Sequence, residues 1–281
     1  MRQALCLVML ALSLQATAEL PRDTLPVRLQ AAQRLVSLNH LVEALQQFQA
    51  ILVLEPDCGQ ALFGAGWIYN QQRKYDRAIA TLARGCQLSP SQSSMHSELA
   101  YAHYKLGNIE GALQAYSQAC QLEPTNARLW VSLGDVNFEL KKDSQAASVA
   151  YRKAVELGSL DGSVFYRLGW CCNDLGQFEE ALAPLRRASQ LHPKAAAVWL
   201  ELGYSLLRCG RSQESVQALV QANVLEPKLR LGHLYLGRAY LQLGQSAQAR
   251  EQVEALKSID IESARQLEVE ITRSPDRSPD L

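Results

Sequence analysis

Proline recurs along this chain at a fixed interval, and that interval limits the fold more than any other feature. Pro56, Pro90 and Pro124 lie 34 residues apart, as do Pro193 and Pro227. Each ends a similar phrase: Leu54-Glu55-Pro56, Leu88-Ser89-Pro90, Leu122-Glu123-Pro124, Leu191-His192-Pro193 and Leu225-Glu226-Pro227. The 69 residues from Pro124 to Pro193 are two periods plus one, and Leu157-Gly158-Ser159 is the member that lost its proline. A repeat of this length is one supersecondary unit that cannot bury its apolar face alone, so copies must stack. With 48% hydrophobic and 20% charged residues the chain can form a core, and its 10 prolines and 16 glycines leave room for long helices.

A second set of residues repeats inside each period. One half reads Trp130-x2-Leu133-Gly134, Trp199-x2-Leu202-Gly203, Phe165-x2-Leu168-Gly169, Leu236-Gly237-x2-Tyr240 and Gly66-x2-Tyr69. The other reads Ala44-x3-Phe48, Ala78-x3-Leu82, Ala112-x3-Tyr116, Ala147-x3-Tyr151, Ala181-x3-Leu185 and Ala249-x3-Val253. Over residues 25–263 the pattern resembles the tetratricopeptide repeat family. The resemblance implies an all-α fold, a right-handed α-solenoid of about seven helix-turn-helix hairpins at 25–58, 59–92, 93–126, 127–161, 162–195, 196–229 and 230–263, then a short capping segment to 272. The extra residue of the fourth repeat is expected in its inter-helix turn, at Lys141-Lys142-Asp143. The first repeat has Ala31-Ala32 in place of Leu-Gly and the seventh has Ile261 in place of the final proline. Terminal repeats face water on one side, which such departures suit.

The repeated residues have physical reasons. Large residues three or four apart form one stripe of each first helix. Glycine after Leu and alanine in the second helix let the two helices approach closely. Gly107, Gly176, Gly210 and Gly244 are expected to end first helices in the left-handed conformation. Proline, lacking a backbone donor, then stops each second helix.

Both ends read differently. Arg2, the apolar run from Ala4 to Leu14 and Ala16-Thr17-Ala18 have the form of a secretory signal peptide (residues 1–18) cleaved before Glu19, although a first helix of the fold is the alternative. The run is shorter than the roughly 20 residues a membrane span needs, so an exported protein, periplasmic or secreted, is expected. Residues 273–281 repeat Arg-Ser-Pro-Asp and are expected to be a disordered tail.

In the resembling family, first helices line a concave groove at repeat positions 2, 5, 6, 9, 12 and 13. Position 9 here holds Gln33, Trp67, Tyr101, Asp135, Trp170, Tyr204 and Arg238, where the family favours small polar residues. Phe63, Tyr104, Phe138 and Tyr166 stand nearby, with Asn70, Asn173 and Arg167 among them. Tyrosine and tryptophan combine a large apolar face with one polar handle, and asparagine can pair with the backbone of an extended peptide. The candidate partner-binding residues are therefore Phe63, Trp67, Asn70, Tyr101, Tyr104, Asp135, Phe138, Tyr166, Trp170, Asn173 and Tyr204. An enlarged core between neighbouring helices is the other reading of these rings. The family's lysine-and-asparagine clamp for acidic peptide ends is missing, because the second repeat has Phe63, Gly64 and Trp67 and the third has Ser97, Glu98 and Tyr101.

Chemistry is poorly represented. No glycine-rich phosphate loop, serine elbow or paired metal histidines occur, so no enzyme activity, metal or cofactor is expected. His96, His233 and His103 replace core residues of the repeat. Cys58 with Cys86, or Cys172 with Cys209, could pair; small apolar filler is the alternative for every cysteine. With 28 basic and 28 acidic residues there is no net field to draw nucleic acid. A protein or peptide partner is expected, either in the groove or, for an accessory subunit of a cell-envelope enzyme or transport complex, on the convex face.

Overall fold

The computed structural model describes residues 24–273, so the expected signal peptide at 1–18 and nearly all of the expected tail at 273–281 lie outside the described residues. Among the described residues there are fifteen α-helices and no strand, an all-α repeat solenoid by class. In chain order they are α1 (Leu25–Ser37), α2 (Leu41–Leu54), α3 (Gly59–Gln71), α4 (Tyr75–Leu88), α5 (Ser93–Lys105), α6 (Ile109–Leu122), α7 (Ala127–Asp135), α8 (Ser144–Glu156), α9 (Gly162–Asp174), α10 (Phe178–Leu191), α11 (Ala196–Arg208), α12 (Ser212–Leu225), α13 (Arg230–Gln242), α14 (Ser246–Lys257) and α15 (Ile261–Arg273). They form two compact units: the first ends at Asn108 and contains α1–α5, the second begins at Ile109 and contains α6–α15.

The turns carry the period. A left-handed residue follows each first helix: Asn39, Arg73, Gly107, Lys142, Gly176, Gly210 and Gly244. After α2, α4, α10 and α12 one residue with φ between −125° and −136° and ψ between 62° and 88° precedes the proline, outside the helical region that proline disfavours in its predecessor. Where the proline is lost, Gly158 takes φ 89° and α8 ends on a glycine cap, with Ser159 N–H donating to the Ala154 carbonyl at 3.0 Å.

The extra residue of the fourth repeat is not in the turn. Residues Val136–Lys141 continue α7 as a π-helical segment, and Lys142 then turns left-handed with φ 58° as its counterparts do. A widened turn absorbs one residue while the next side chains return to the same helix face. Asn137 Nδ2 donates to the Leu133 carbonyl at 2.9 Å, satisfying a backbone group at the widened turn.

Packing follows the glycine and alanine pattern. A Cβ on Gly66, Gly134, Gly169 or Gly203 would come within 2.4, 2.6, 2.4 or 2.5 Å of Leu82, Tyr151, Leu185 or Leu219 on the following helix. Each of those leucines is fully buried, and burying one contributes about 1.5–3 kcal/mol. The position before the repeat's Leu-Gly has a further duty. Trp130 and Trp199 donate their indole N–H to the carbonyls of Pro124 and Pro193 at 2.9 Å. His96 and His233 do the same through Nε2 to Pro90 at 2.9 Å and Pro227 at 3.0 Å. Histidine and tryptophan therefore exchange here because both offer a ring N–H, not only bulk.

All six cysteines among the described residues are free, so neither Cys58 with Cys86 nor Cys172 with Cys209 is bonded. Burial pushes the thiols of Cys86 and Cys120 up to about 11 and that of Cys171 to about 12, as expected of apolar filler. No helix of the described residues is long and apolar enough to cross a membrane.

Candidate functional site

In the first unit, α3 carries Phe63, Trp67 and Asn70, and α5 carries Tyr101 and Tyr104. Phe63 and Trp67 are half-buried against the core and stand open on one side. With Gln33 of α1, Phe48 of α2 and Glu98 of α5 they line a pocket of about 310 Å³. Tyr101 meets Tyr75 edge-on, with centroids 6.3 Å apart, and Lys105 Nζ lies 5.2 Å from the Tyr101 ring and 5.1 Å from that of Tyr104.

In the second unit, Asp135 ends α7 and Phe138 sits in the π-helical segment. Asp135 accepts from Tyr151 Oη at 2.8 Å and from Arg167, whose guanidinium also donates to Glu139 at 2.7 Å. Burial pushes the Asp135 carboxyl above its usual range, partly offset by Tyr151 and Arg167. Phe138 meets Trp170 edge-on at 5.1 Å, and the Arg167 guanidinium lies 5.6 Å from its ring centroid. Tyr166 is half-buried beside Arg167 at the edge of an opening that reaches Pro193. Tyr204 stacks on Tyr235 at 4.8 Å, meets Phe178 edge-on at 5.6 Å and accepts from Arg208 at 2.7 Å. An open pocket of about 630 Å³ lies beside that stack, bounded by Arg208, Arg238 and Glu270.

The rings are thus half-buried: each packs against neighbouring helices on one side and is open on the other. The two asparagines differ from expectation. Asn70 and Asn173 are 3% and 7% exposed and are committed to the neighbouring first helix, not presented to a peptide. Asn70 Nδ2 donates to the Glu98 carbonyl at 3.0 Å and to Glu98 Oε2 at 2.7 Å. Asn173 Nδ2 donates likewise to Glu201, at 3.2 and 2.8 Å. Burial raises both glutamate carboxyls above their usual range, and the asparagine amides oppose it. Sequence reading passed over this link, although its signal was present: both asparagines precede their glutamate by 28 residues. Phe48 and Phe178 were missed because they lie on second helices, outside the positions weighed for the groove, whereas Glu98 and Tyr235 stand at a weighed position and were not picked out as binding residues.

The links differ at one atom. Ser205 Oγ donates to Asn173 Oδ1 at 2.6 Å, whereas Ala102 occupies the matching position of the first unit and Asn70 Oδ1 is buried without a partner. An unmet buried acceptor costs about 1–3 kcal/mol. Ala102→Ser is therefore expected to stabilise the first unit by about 1 kcal/mol, and Ser205→Ala to destabilise the second by about 1–3 kcal/mol. Urea unfolding midpoints of the two variants, moving in opposite directions, check the pair.

Among the described residues no group of three or more histidine, cysteine, aspartate and glutamate side chains is placed to hold a metal ion. The tetratricopeptide repeat model matches residues 29–93 and 174–224, and a second model, described as TPR repeat, matches residues 102–141. Among curated proteins, the human protein O-mannosyl-transferase TMTC1 is 27% identical over 150 residues, which cover 51% of this chain and 17% of that protein. Human tetratricopeptide repeat protein 13 is 28% identical over 152 residues, covering 50% and 17%. The chain thus spans only about a sixth of the length of these relatives. Among solved structures, YrrB, described as a TPR protein with an unusual peptide-binding site, superposes with a TM-score of 0.62 at 21% identity over 67% of this chain and 97% of its own. The C-terminal part of a TPR repeat-containing protein from Cytophaga hutchinsonii gives 0.63 at 16% identity over 85% and 98%. Period, turns, packing and these matches agree: the chain is an all-α solenoid built of tetratricopeptide repeats.

Proposed function

We propose that the chain is an exported, non-catalytic scaffold that holds a segment of a partner polypeptide against the open rings of its first helices. The observation that carries this reading is the half-buried aromatic row itself. Large rings fixed by edge-on and stacked neighbours cost little ordering entropy on binding, and arginines beside them supply directed donors. The description of YrrB as a peptide-binding repeat protein points the same way. Export rests on the form of residues 1–18. The accessory-subunit alternative would use another opening, about 390 Å³ between α8, α9 and α10 beside Pro184, a proline inside α10.

A displayed library of random peptides, selected on the protein, tests the proposal. Replacing Trp67, Tyr101, Trp170 and Tyr204 together by serine is expected to weaken the enriched peptides by at least about a hundredfold, since anchor residues of this kind contribute about 2 kcal/mol or more each. The helical circular-dichroism signal should persist. Peptides that bind the variant as tightly as the native chain would place binding away from the row.

A further inference from the structure

The pocket on the first unit has a counterpart in the second, and one residue distinguishes them. Counted along their repeats, Phe63, Gly64 and Trp67 of α3 stand where Tyr166, Arg167 and Trp170 stand on α9. Phe48 likewise matches Tyr151, and Glu98 matches Glu201. In the second unit that place is filled by the chain's own guanidinium, since Arg167 reaches over the Phe138 ring to Asp135 and Glu139. In the first unit Gly64 has no side chain to fill it, and a pocket of about 310 Å³ remains, walled by Phe48, Phe63 and Trp67 with Gln33, Gln60 and Glu98 at its polar edge.

We propose that this pocket receives the arginine side chain of a partner segment, its guanidinium against the aromatic wall and paired with Glu98. The proposal rests on the peptide-binding reading and names one anchor of the bound segment. Charge favours it. Glu98 forms no ion pair among the described residues, and its only side-chain bond there is accepted from Asn70 at 2.7 Å. A carboxylate drawn into an aromatic pocket without a cation is poorly compensated, and an entering cation supplies what is missing. The acids that hold Arg167 are absent from the first unit, where Gln33 matches Asp135 and Ser37 matches Glu139, so the countercharge comes from α5 instead. Arginine suits better than lysine because its planar, weakly hydrated guanidinium lies flat on rings. The pocket is at the small end of ligand sites, the size for one side chain and not a whole cofactor.

The full chain labelled with nitrogen-15 provides the test, using the indole N–H signal of Trp67, identified by its loss in Trp67→Phe. Two probes are titrated to millimolar concentration: acetyl-Ala-Arg-Ala-amide and the same peptide with citrulline, the uncharged isostere, in place of arginine. The arginine peptide is expected to shift the Trp67 signal and the citrulline peptide to leave it in place. Glu98→Gln, which keeps the acceptor for Asn70, is expected to weaken the arginine peptide about tenfold or more, the size of a lost charge-assisted contact. Equal shifts with citrulline would overturn the proposal and leave an apolar peptide anchor, so the broader binding reading would survive. No shift with either peptide, or unchanged binding to Glu98→Gln, would also overturn it. Library peptides that bind the fourfold serine variant as tightly as the native chain, by contrast, are what would refute the broader reading.

Discussion

Arg167→Ala is expected to destabilise the second unit by about 2–3 kcal/mol. Two acids share this one guanidinium. Asp135 and Glu139 both accept from it, and the three side chains are 28%, 27% and 35% exposed, too buried to be surface pairs and too open for the full penalty of a sealed ion pair. Removing it takes away the cation that Asp135 and Glu139 share, with Tyr151 Oη still donating to Asp135. It also strips a cation from the Phe138 ring, which braces Trp170. The sign of the pH effect follows. Burial already pushes the Asp135 carboxyl up, and without Arg167 it rises further. A raised folded-state carboxyl favours the folded protein at low pH and loses that advantage as pH climbs from the unfolded value through the folded one. The deficit of the variant should therefore shrink in mildly acidic solution. Asp135→Asn added to Arg167→Ala should recover part of the loss at neutral pH, because one stranded charge is gone. Tryptophan-monitored urea unfolding in a Trp67→Phe background reads this unit alone, since the remaining tryptophans, Trp130, Trp170 and Trp199, all lie beyond Ile109. Independent, additive losses for the two changes would show that the pair does not act as a unit.

Much of this arrangement was legible in the sequence, and the parts that were not share a cause. Helix ends could be read because proline, glycine and the left-handed turn act within a few residues of themselves. The fold class followed because the same local signals recur every 34 residues. The π-helical segment at Val136–Lys141 could not be read that way. An added residue can be absorbed wherever packing permits, and the lysines of the turn marked only where the next helix begins. Asn70 and Asn173 were assigned to the open face because position within the repeat gives direction but not partner, and their partners lie on the next first helix. Ala32 shows how two departures can be coupled. Gly134 lets the Tyr151 ring lie on its own hairpin, but the first repeat has the fully buried Ala32 at that position. Phe48 leans instead onto Gly64, where a Cβ would come 2.4 Å from its ring. Read singly, Ala32 was a degenerate end and Gly64 a missing clamp residue. Together they turn a core ring into a pocket wall.

Gly203→Ala is the second large effect, expected to destabilise by about 1–3 kcal/mol although alanine is the better helix former by about 1 kcal/mol. Two terms compete here. In an exposed helix interior the substitution would stabilise, because alanine restricts the unfolded chain and covers the backbone. On α11 the new Cβ would lie 2.5 Å from Leu219 Cγ and 2.7 Å from its Cδ2. Leu219 cannot swing aside, being fully buried among Leu200, Leu207 and Leu236, and Ser215 of the same helix is tied to the Gly203 carbonyl by a hydrogen bond of 2.7 Å. Relief must come from moving α12 as a body, which lengthens that bond and opens the contact with α13. The overpacking term therefore outweighs the helix-propensity gain. Leu219→Ala alone should cost about 2–5 kcal/mol by leaving a cavity, yet in the Gly203→Ala background its cost should be clearly smaller, because the added methyl occupies part of that space. A double-mutant cycle on urea midpoints measures this coupling. A coupling within error of zero, with Gly203→Ala neutral or stabilising, would mean that helix approach is not what requires glycine at this position of the repeat.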